Sequence, residues 1–272
     1  IDDQFALVYA LVSPEINVKA VYAAPFHNSR SDGPGDGMEK SYEEILRILN
    51  KMNIHAEGFA FKGSTEYFKD RSEPEASPAA VDLVAKAKQH DTENPLYVVA
   101  VGAITNIANA ISLDLSIINS IVIVWLGGNS HQWPHQREFN FRQDLQASRV
   151  IFDSGVPLVQ LPCTPVVTHF TTTVPEMEAY VAGKGAIGDY LLAIFKDYRQ
   201  DHFAWSKVLW DMTAVAWVIN PDWLPSNVVH APIVTDQYTL SFDDSRHFIR
   251  YVYHVNRDPI FRDFFIKLDN WD

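Results

Sequence analysis

The chain is short of cysteine, of basic residues and of long apolar runs, and each shortage removes a class of explanation. Its one cysteine, Cys163, excludes an internal disulfide framework and any thiolate metal cluster, and is compatible with either a reducing or an oxidising compartment. Lys and Arg number 22 against 34 Asp and Glu, giving a formal net charge of -12 and a pI near 5.2. Such a chain repels polyanions and offers no basic stripe for a phosphate backbone, so no nucleic-acid partner is expected. No run reaches the roughly 18 consecutive apolar residues of a membrane-spanning helix, so no membrane span is expected either. The sequence also opens without an initiator Met or a signal-peptide pattern. Ile1 is followed at once by charged residues that look like part of a motif, and a segment ahead of it is expected.

What remains is an ordinary globular composition. With 272 residues, 47% hydrophobic and 21% charged, the chain can bury a large core. It contains no internal repeat, low-complexity stretch or linker, so residues 1–272 are expected to form one domain. Helix-period and strand-like segments alternate, which predicts an α/β fold: a mostly parallel central sheet flanked by helices, a Rossmann-like open sheet. Residues 2–13 look helical and stop at Pro14, and the apolar run Val18 to Ala24 follows as a strand. The segment from Phe26 to Gly37 is rich in Gly, Pro, Asn and Asp and is predicted to be a loop. Met38, Tyr42, Ile45, Leu46, Leu49 and Met52 then fall at helical spacing. LYVVAV (96–101) and IVIVWL (121–126) are continuous apolar runs suited to central parallel strands, with a helix between them after Thr105. Helices are also predicted at 79–89, 144–153, 183–198 and 208–219, and strands at 156–161 and around Ile249 to Tyr253.

Several polar groups interrupt this apolar pattern. IDDQFAL begins with adjacent carboxylates, Asp2 and Asp3, at the start of an apolar helix. They suit helix capping, because Asp accepts orphan N–H groups at the positive end of the helix dipole. They suit a hard divalent cation equally in kind, since side-by-side carboxylates repel and calcium takes about 6–8 oxygen ligands. VAVGAITNIANAI (99–111) and VWLGGN (124–129) each place small residues at the carboxyl end of a buried strand, where parallel sheets form sites; ordinary turns would use the same residues. Glu138 and Asn140 in REFNFRQD are two apart, so an extended segment would project both to one side, towards sugar hydroxyls or simply towards solvent. Asp211 is the one carboxylate inside the otherwise apolar KVLWDMTAVAW (207–217), where an unpaired buried charge calls for a partner such as a metal.

In this order, these segments resemble the nucleoside hydrolase family, the inosine-uridine-preferring N-ribohydrolases and their relatives. IDDQFALVYALVSPE is similar to the second half of the family's N-terminal aspartate cluster, and VAVGAITNIANA to its V-A-L-G-P-L-T-N-I-A segment. GGN, EFN and RVIFDSGVPL resemble its central signature. The resemblance implies a calcium-dependent N-glycosyl hydrolase that releases base and ribose from a nucleoside. Its calcium, bound by aspartates and one backbone carbonyl, also holds ribose hydroxyls and the attacking water. By position, Asp3 would be a metal ligand, Val101 would offer its carbonyl, and Asp211 would close the metal shell and reach the substrate. Asp2, Glu138, Asn140 and, on a looser match, Asn28 would contact ribose. A homo-oligomer, dimer or tetramer, is a further expectation from the family.

Three departures accompany the match. The family's first aspartates, including the general base, would lie ahead of Ile1, together with one β-strand. Trp210 stands where many members have a histidine beside the C-terminal aspartate, and Lys62 where another histidine precedes a glycine. Protonation of the leaving base then falls among His27, His131, His135 and His202, each of which suits an ordinary surface or core role as well. Trp133 and Trp210 suit either stacking on a nucleobase or core packing. The AAPFHNS segment and the Gly-Pro-rich loop after it are unlike the usual arrangement. They leave open a glycosidase of another sugar conjugate in carbohydrate breakdown, or a non-catalytic sugar-binding relative.

Overall fold

A computed structural model describes residues 1–271. The chain runs through α1 (Asp2–Leu11), β1 (Val21–Tyr22), α2 (Pro34–Lys51), β2 (Ala60–Phe61), α3 (Pro78–Ala87), β3 (Leu96–Ala100) and α4 (Thr105–Leu113). It continues through β4 (Ile121–Leu126), α5 (Phe139–Gln143), α6 (Leu145–Asp153), β5 (Leu158–Leu161), β6 (Thr171–Thr172), α7 (Val174–Tyr180) and α8 (Gly185–Asp197). The last third holds β7 (Lys207–Val208), α9 (Met212–Ile219), β8 (Ser226–His230), β9 (Ile233–Val234), β10 (Leu240–Ser241), β11 (Phe248–Val252) and α10 (Arg257–Asp269).

The main sheet has five strands in the order β3-β4-β5-β11-β8. All neighbours are parallel except β8, which runs antiparallel to β11. The fold is therefore α/β with a mostly parallel central sheet, as the alternation of periods predicted. Side chains on β4 alternate between the two faces as the pleat requires. Ile123 and Trp125 pack with Ile107, Ile111 and Ile151 from α4 and α6. Val124 and Leu126 pack with Phe5, Tyr9, Val215 and Phe264 from α1, α9 and α10. No helix of the described residues is long and apolar enough to cross a membrane.

Local chemistry moved several boundaries. The apolar run from Val18 forms a strand only at Val21–Tyr22, because its parallel partner, Ala60–Phe61, is itself two residues long. Helix α2 starts inside the Gly-Pro loop at Pro34, whose fixed φ suits the first helical turn. The helix predicted from 208 starts at Met212, because Lys207–Val208 pairs antiparallel with Thr171–Thr172 instead. Glu138 and Asn140 are not in an extended segment: Glu138 is the N-cap of α5 and Asn140 lies within that helix. Helices α7 and α10 and the antiparallel edge strand β8 were not anticipated.

Buried polar ties fix the carboxyl ends of the strands. Asn106 donates to the Ala23 carbonyl at 2.8 Å and accepts from the Ser64 N–H at 2.8 Å, joining α4 to the ends of β1 and β2. Gly63 permits that approach, since a Cβ there would sit 1.9 Å from the Ala23 oxygen. The Asp144 carboxylate, buried and raised above the usual range by desolvation, accepts from Thr105 Oγ1 and the Phe68 N–H, each at 2.7 Å, and from the Ala147 N–H at 2.9 Å. Trp125 donates its indole N–H to the Gly102 carbonyl at 3.2 Å, linking β4 to the turn after β3. Replacing Asn106 by Ala leaves the Ala23 carbonyl and the Ser64 N–H without this partner. We expect a loss of about 2–4 kcal/mol from two such groups, read as a lower urea midpoint with an unchanged m-value.

Candidate active site

Two helix N-termini meet at one end of the sheet. Helix α1 begins with Asp2 and Asp3 in its first turn, and α9 begins after Asp211, with the bodies of the two helices packed together. The sequence suggested that Asp211 lies inside its helix; it stands instead at the N-cap position. Neither helix has a side-chain capping bond, so these carboxylates do not serve the usual capping purpose. One oxygen each from Asp2, Asp3 and Asp211 lie within 4.8 Å of one another.

The three carboxylates differ in surroundings. Asp211 is 4% exposed, and among the described residues no donor hydrogen-bonds its carboxylate. Burial, and then repulsion from Asp3 and Asp2, holds it well above the usual carboxylate range. Asp3 keeps solvent access, yet surrounding protein desolvates it enough to raise its pKa, and Asp2 adds repulsion. Asp2 has a cationic partner: Lys207 Nζ lies 3.3 Å from Asp2 Oδ1. The backbone nitrogen of Ile1 is 3.7 Å from the same oxygen.

Next to this cluster, helix α5 is tied to the ends of β3 and β4. Glu138 accepts from the Gly128 N–H at 3.0 Å, the Asn140 N–H at 2.8 Å and the Phe141 N–H at 3.1 Å. Gly128 has φ of +76°, which suits glycine and turns its N–H towards the carboxylate. Asn140 donates from Nδ2 to the Val101 carbonyl at 3.2 Å and the Leu126 carbonyl at 3.0 Å. Desolvation raises Glu138 above its usual range against these bonds, and its charge is felt at Asp211. Burial, and then the nearby charges of Glu138 and Asp211, push the Cys163 thiol up, so it stays neutral.

The other expected site residues are more scattered. Asn28 is exposed, and its Oδ1 accepts from the Arg30 N–H at 2.8 Å in a local turn. His27 is held through its backbone by the Gln143 side chain. His131 binds Gln160 at 2.9 Å and lies against the Tyr251 ring, and desolvation lowers its pKa. His135 accepts from the Arg137 N–H, and His202 meets the Lys196 carbonyl. Among the described residues, none of the four histidines hydrogen-bonds the aspartate cluster. Trp133 is 40% exposed, while Trp210 packs partly against the core. Lys62 pairs with Glu39 on the surface. Lys207 was not singled out from sequence; a lysine four residues ahead of an isolated carboxylate in an apolar stretch was the available signal. Cys163 was read only as a lone thiol, and nothing in the sequence linked it to Glu138.

Three carboxylates with one side-chain ammonium beside them fit a hard divalent cation, and the fit rests on Asp211 above all: a buried carboxylate with no hydrogen-bond donor needs some positive partner. Asp3, Asp211 and Asp2 are the carboxylates that could hold it. The cluster stands at the carboxyl end of a parallel sheet, the usual position for a site in this class of fold.

Comparison with known proteins bears on the fold and the family. Solved structures share the fold: a purine-preferring ribonucleoside hydrolase from Gardnerella vaginalis superposes with a TM-score of 0.75 at 20% identity, covering 99% of this chain and 95% of that one. The plant nucleoside hydrolase PpNRh1 gives a TM-score of 0.74 at 17% identity, covering 99% and 96%. In sequence, the pyrimidine-specific ribonucleoside hydrolase RihA of Escherichia coli O9:H4 (strain HS) is 29% identical over 251 residues, spanning 81% of this chain and 77% of the relative. RihA of Escherichia fergusonii matches to the same extent, at 29% identity. The family profile described as inosine-uridine preferring nucleoside hydrolase matches residues 1–259, and the chain belongs to that family of N-glycosyl hydrolases.

Proposed function

We propose that this protein is a calcium-dependent ribonucleoside hydrolase that splits the N-glycosidic bond to free base and ribose. The observation that carries the cation is the unpartnered, buried Asp211 within 4.8 Å of two further carboxylates. Asp3, Asp211 and the Val101 carbonyl are the proposed ligands: all are hard oxygen donors, the two aspartates lie in one cluster, and the family resemblance points to the carbonyl after β3. A bound cation there would acidify a coordinated water and hold sugar hydroxyls.

The chain's own residues do the remaining work. Asp2 accepts a ribose hydroxyl. Asn140 has both Nδ2 hydrogens committed to Val101 and Leu126, so its Oδ1 is the atom left for a sugar hydroxyl. Glu138 is oriented by three backbone N–H groups and keeps lone pairs for a further hydroxyl. Loss of the base leaves an oxocarbenium-like sugar, and buried carboxylates in a poorly solvated site favour that developing positive charge over the neutral ground state. The water-activating base expected ahead of Ile1 lies outside the described residues. RihA carries the label pyrimidine-specific and the Gardnerella enzyme purine-preferring, so the relatives support a ribonucleoside without selecting its base.

A specific observation favours one other substrate class. With Trp210 beside Asp211 and no histidine bonded to the cluster among the described residues, a glycoside whose leaving group needs no protonation is the second reading.

The deciding assay measures ribose release by the full-length protein from inosine, adenosine, uridine and cytidine, with calcium or with a chelator. We expect release that stops on chelation and falls by about a hundredfold or more in Asp211→Ala. Calcium binding without cleavage of any nucleoside would exclude the ribohydrolase and direct the search to other glycosides. Independently, calcium at about 100 times its Kd should stabilise the fold by about 2.7 kcal/mol, raising Tm by about 5 °C or more. Thermal melts should show that shift in the wild type and lose it in Asp211→Ala.

A further inference from the structure

The three clustered aspartates are alike in chemistry but not in company. Asp211 has no protein donor among the described residues, and Asp3 faces no cation within ion-pair distance of a side chain. Asp2 alone is met by a side-chain ammonium, that of Lys207. Lys207 is not a loose surface charge. Its side chain is 11% exposed, its backbone is fixed by pairing with Thr172, and its Nζ donates to the Val208 carbonyl at 3.2 Å. The same ammonium lies 5.0 Å from the centre of the Tyr198 ring, on its face. An ammonium held from three directions cannot easily swing out to make room for a second cation at Asp2.

We infer that Lys207 is a positioning residue that reserves Asp2 for the substrate by holding its carboxylate out of the cation's coordination shell. This rests on the proposed ribohydrolase site and deepens it. Formal charge counted over side chains supports the division: three carboxylates, one ammonium and one divalent cation sum to zero. Glu138, whose charge reaches Asp211, then leaves a single negative charge to face the cationic sugar. Without Lys207 the free Asp2 carboxylate would join the cation, since hard cations gain affinity with each added charged oxygen. The metal would be held more tightly and the sugar would lose an acceptor.

The test pairs Lys207→Met with Lys207→Arg and with Asp2→Asn, singly and combined. Calcium affinity is read by calorimetry, and KM and kcat on whichever nucleoside the wild type cleaves. In Lys207→Met we expect calcium to bind about tenfold more tightly and KM to rise about tenfold, with a smaller change in kcat. Lys207→Arg should restore both, and Asp2→Asn should abolish the effect of Lys207→Met on calcium, because the lysine acts through that carboxylate. Unchanged or weaker calcium binding in Lys207→Met overturns the inference, as does tighter binding with an unchanged KM. A destabilised Lys207→Met is recognised by its unfolding midpoint, and Lys207→Gln, which keeps a donor without the charge, then decides by the same calcium affinity and KM. If no nucleoside is cleaved, the ribohydrolase fails on its own assay, while the calcium affinities of these variants still decide the role of Lys207.

Discussion

Like charges gathered at one point are the constraint around which this molecule is arranged. Asp2, Asp3 and Asp211 repel one another and Asp211 is buried, yet two helices bring them together. The packing of α1 on α9 is what makes this unavoidable. Phe5, Val8 and Tyr9 on one helix and Met212, Val215 and Ala216 on the other belong to the same apolar cluster, so separating the carboxylates would mean opening the core. The positive ends of two helix dipoles and the Lys207 ammonium offset part of the repulsion. What they leave uncompensated is an affinity for a cation of the right size and hardness.

A second set of groups carries no such tension. Glu138, Asn140, Asn106 and Asp144 each satisfy two or more backbone or hydroxyl partners, and each joins elements distant in sequence. Their bonds run between strand ends and helix starts, so the rim of the sheet is held by directed contacts in addition to apolar packing. The division is informative about role. Side chains with several hydrogen bonds build the frame, and Glu138 and Asn140 among them keep acceptor atoms to spare, whereas Asp211 without a donor is open to a cation.

Much of this was legible in the sequence because the periods are strong where the core is deep. IVIVWL could only be a buried strand, and the face of Met38, Ile45 and Leu49 could only be a helix. The aspartates were legible as charges out of place in apolar segments. Their convergence was not, since nothing in a linear pattern says that residue 3 and residue 211 share a site; the family resemblance supplied that. Glu138 and Asn140 were found for a reason that the structure corrects: a strand was assumed where Glu138 caps a single helical turn. Helix α10 was missed although Ile260, Phe261, Phe264 and Leu268 carry helical spacing, because its many charged residues dilute the apolar signal. Strand β8 was missed because, at the edge of the sheet, its residues are half-exposed and lack a clean alternation. Lys207 could not be recognised before its partner was known, since its meaning lies wholly in the contact with Asp2.

Asn140 spans the gap between two neighbouring strands, with one amide hydrogen on the carbonyl after β3 and the other on the last carbonyl of β4. It therefore behaves as a caliper set to the strand spacing at the mouth of the site. Any change in the core that spread or sheared those strands would be registered at once by the side chain proposed to meet the sugar. Core and site in such a molecule cannot drift independently.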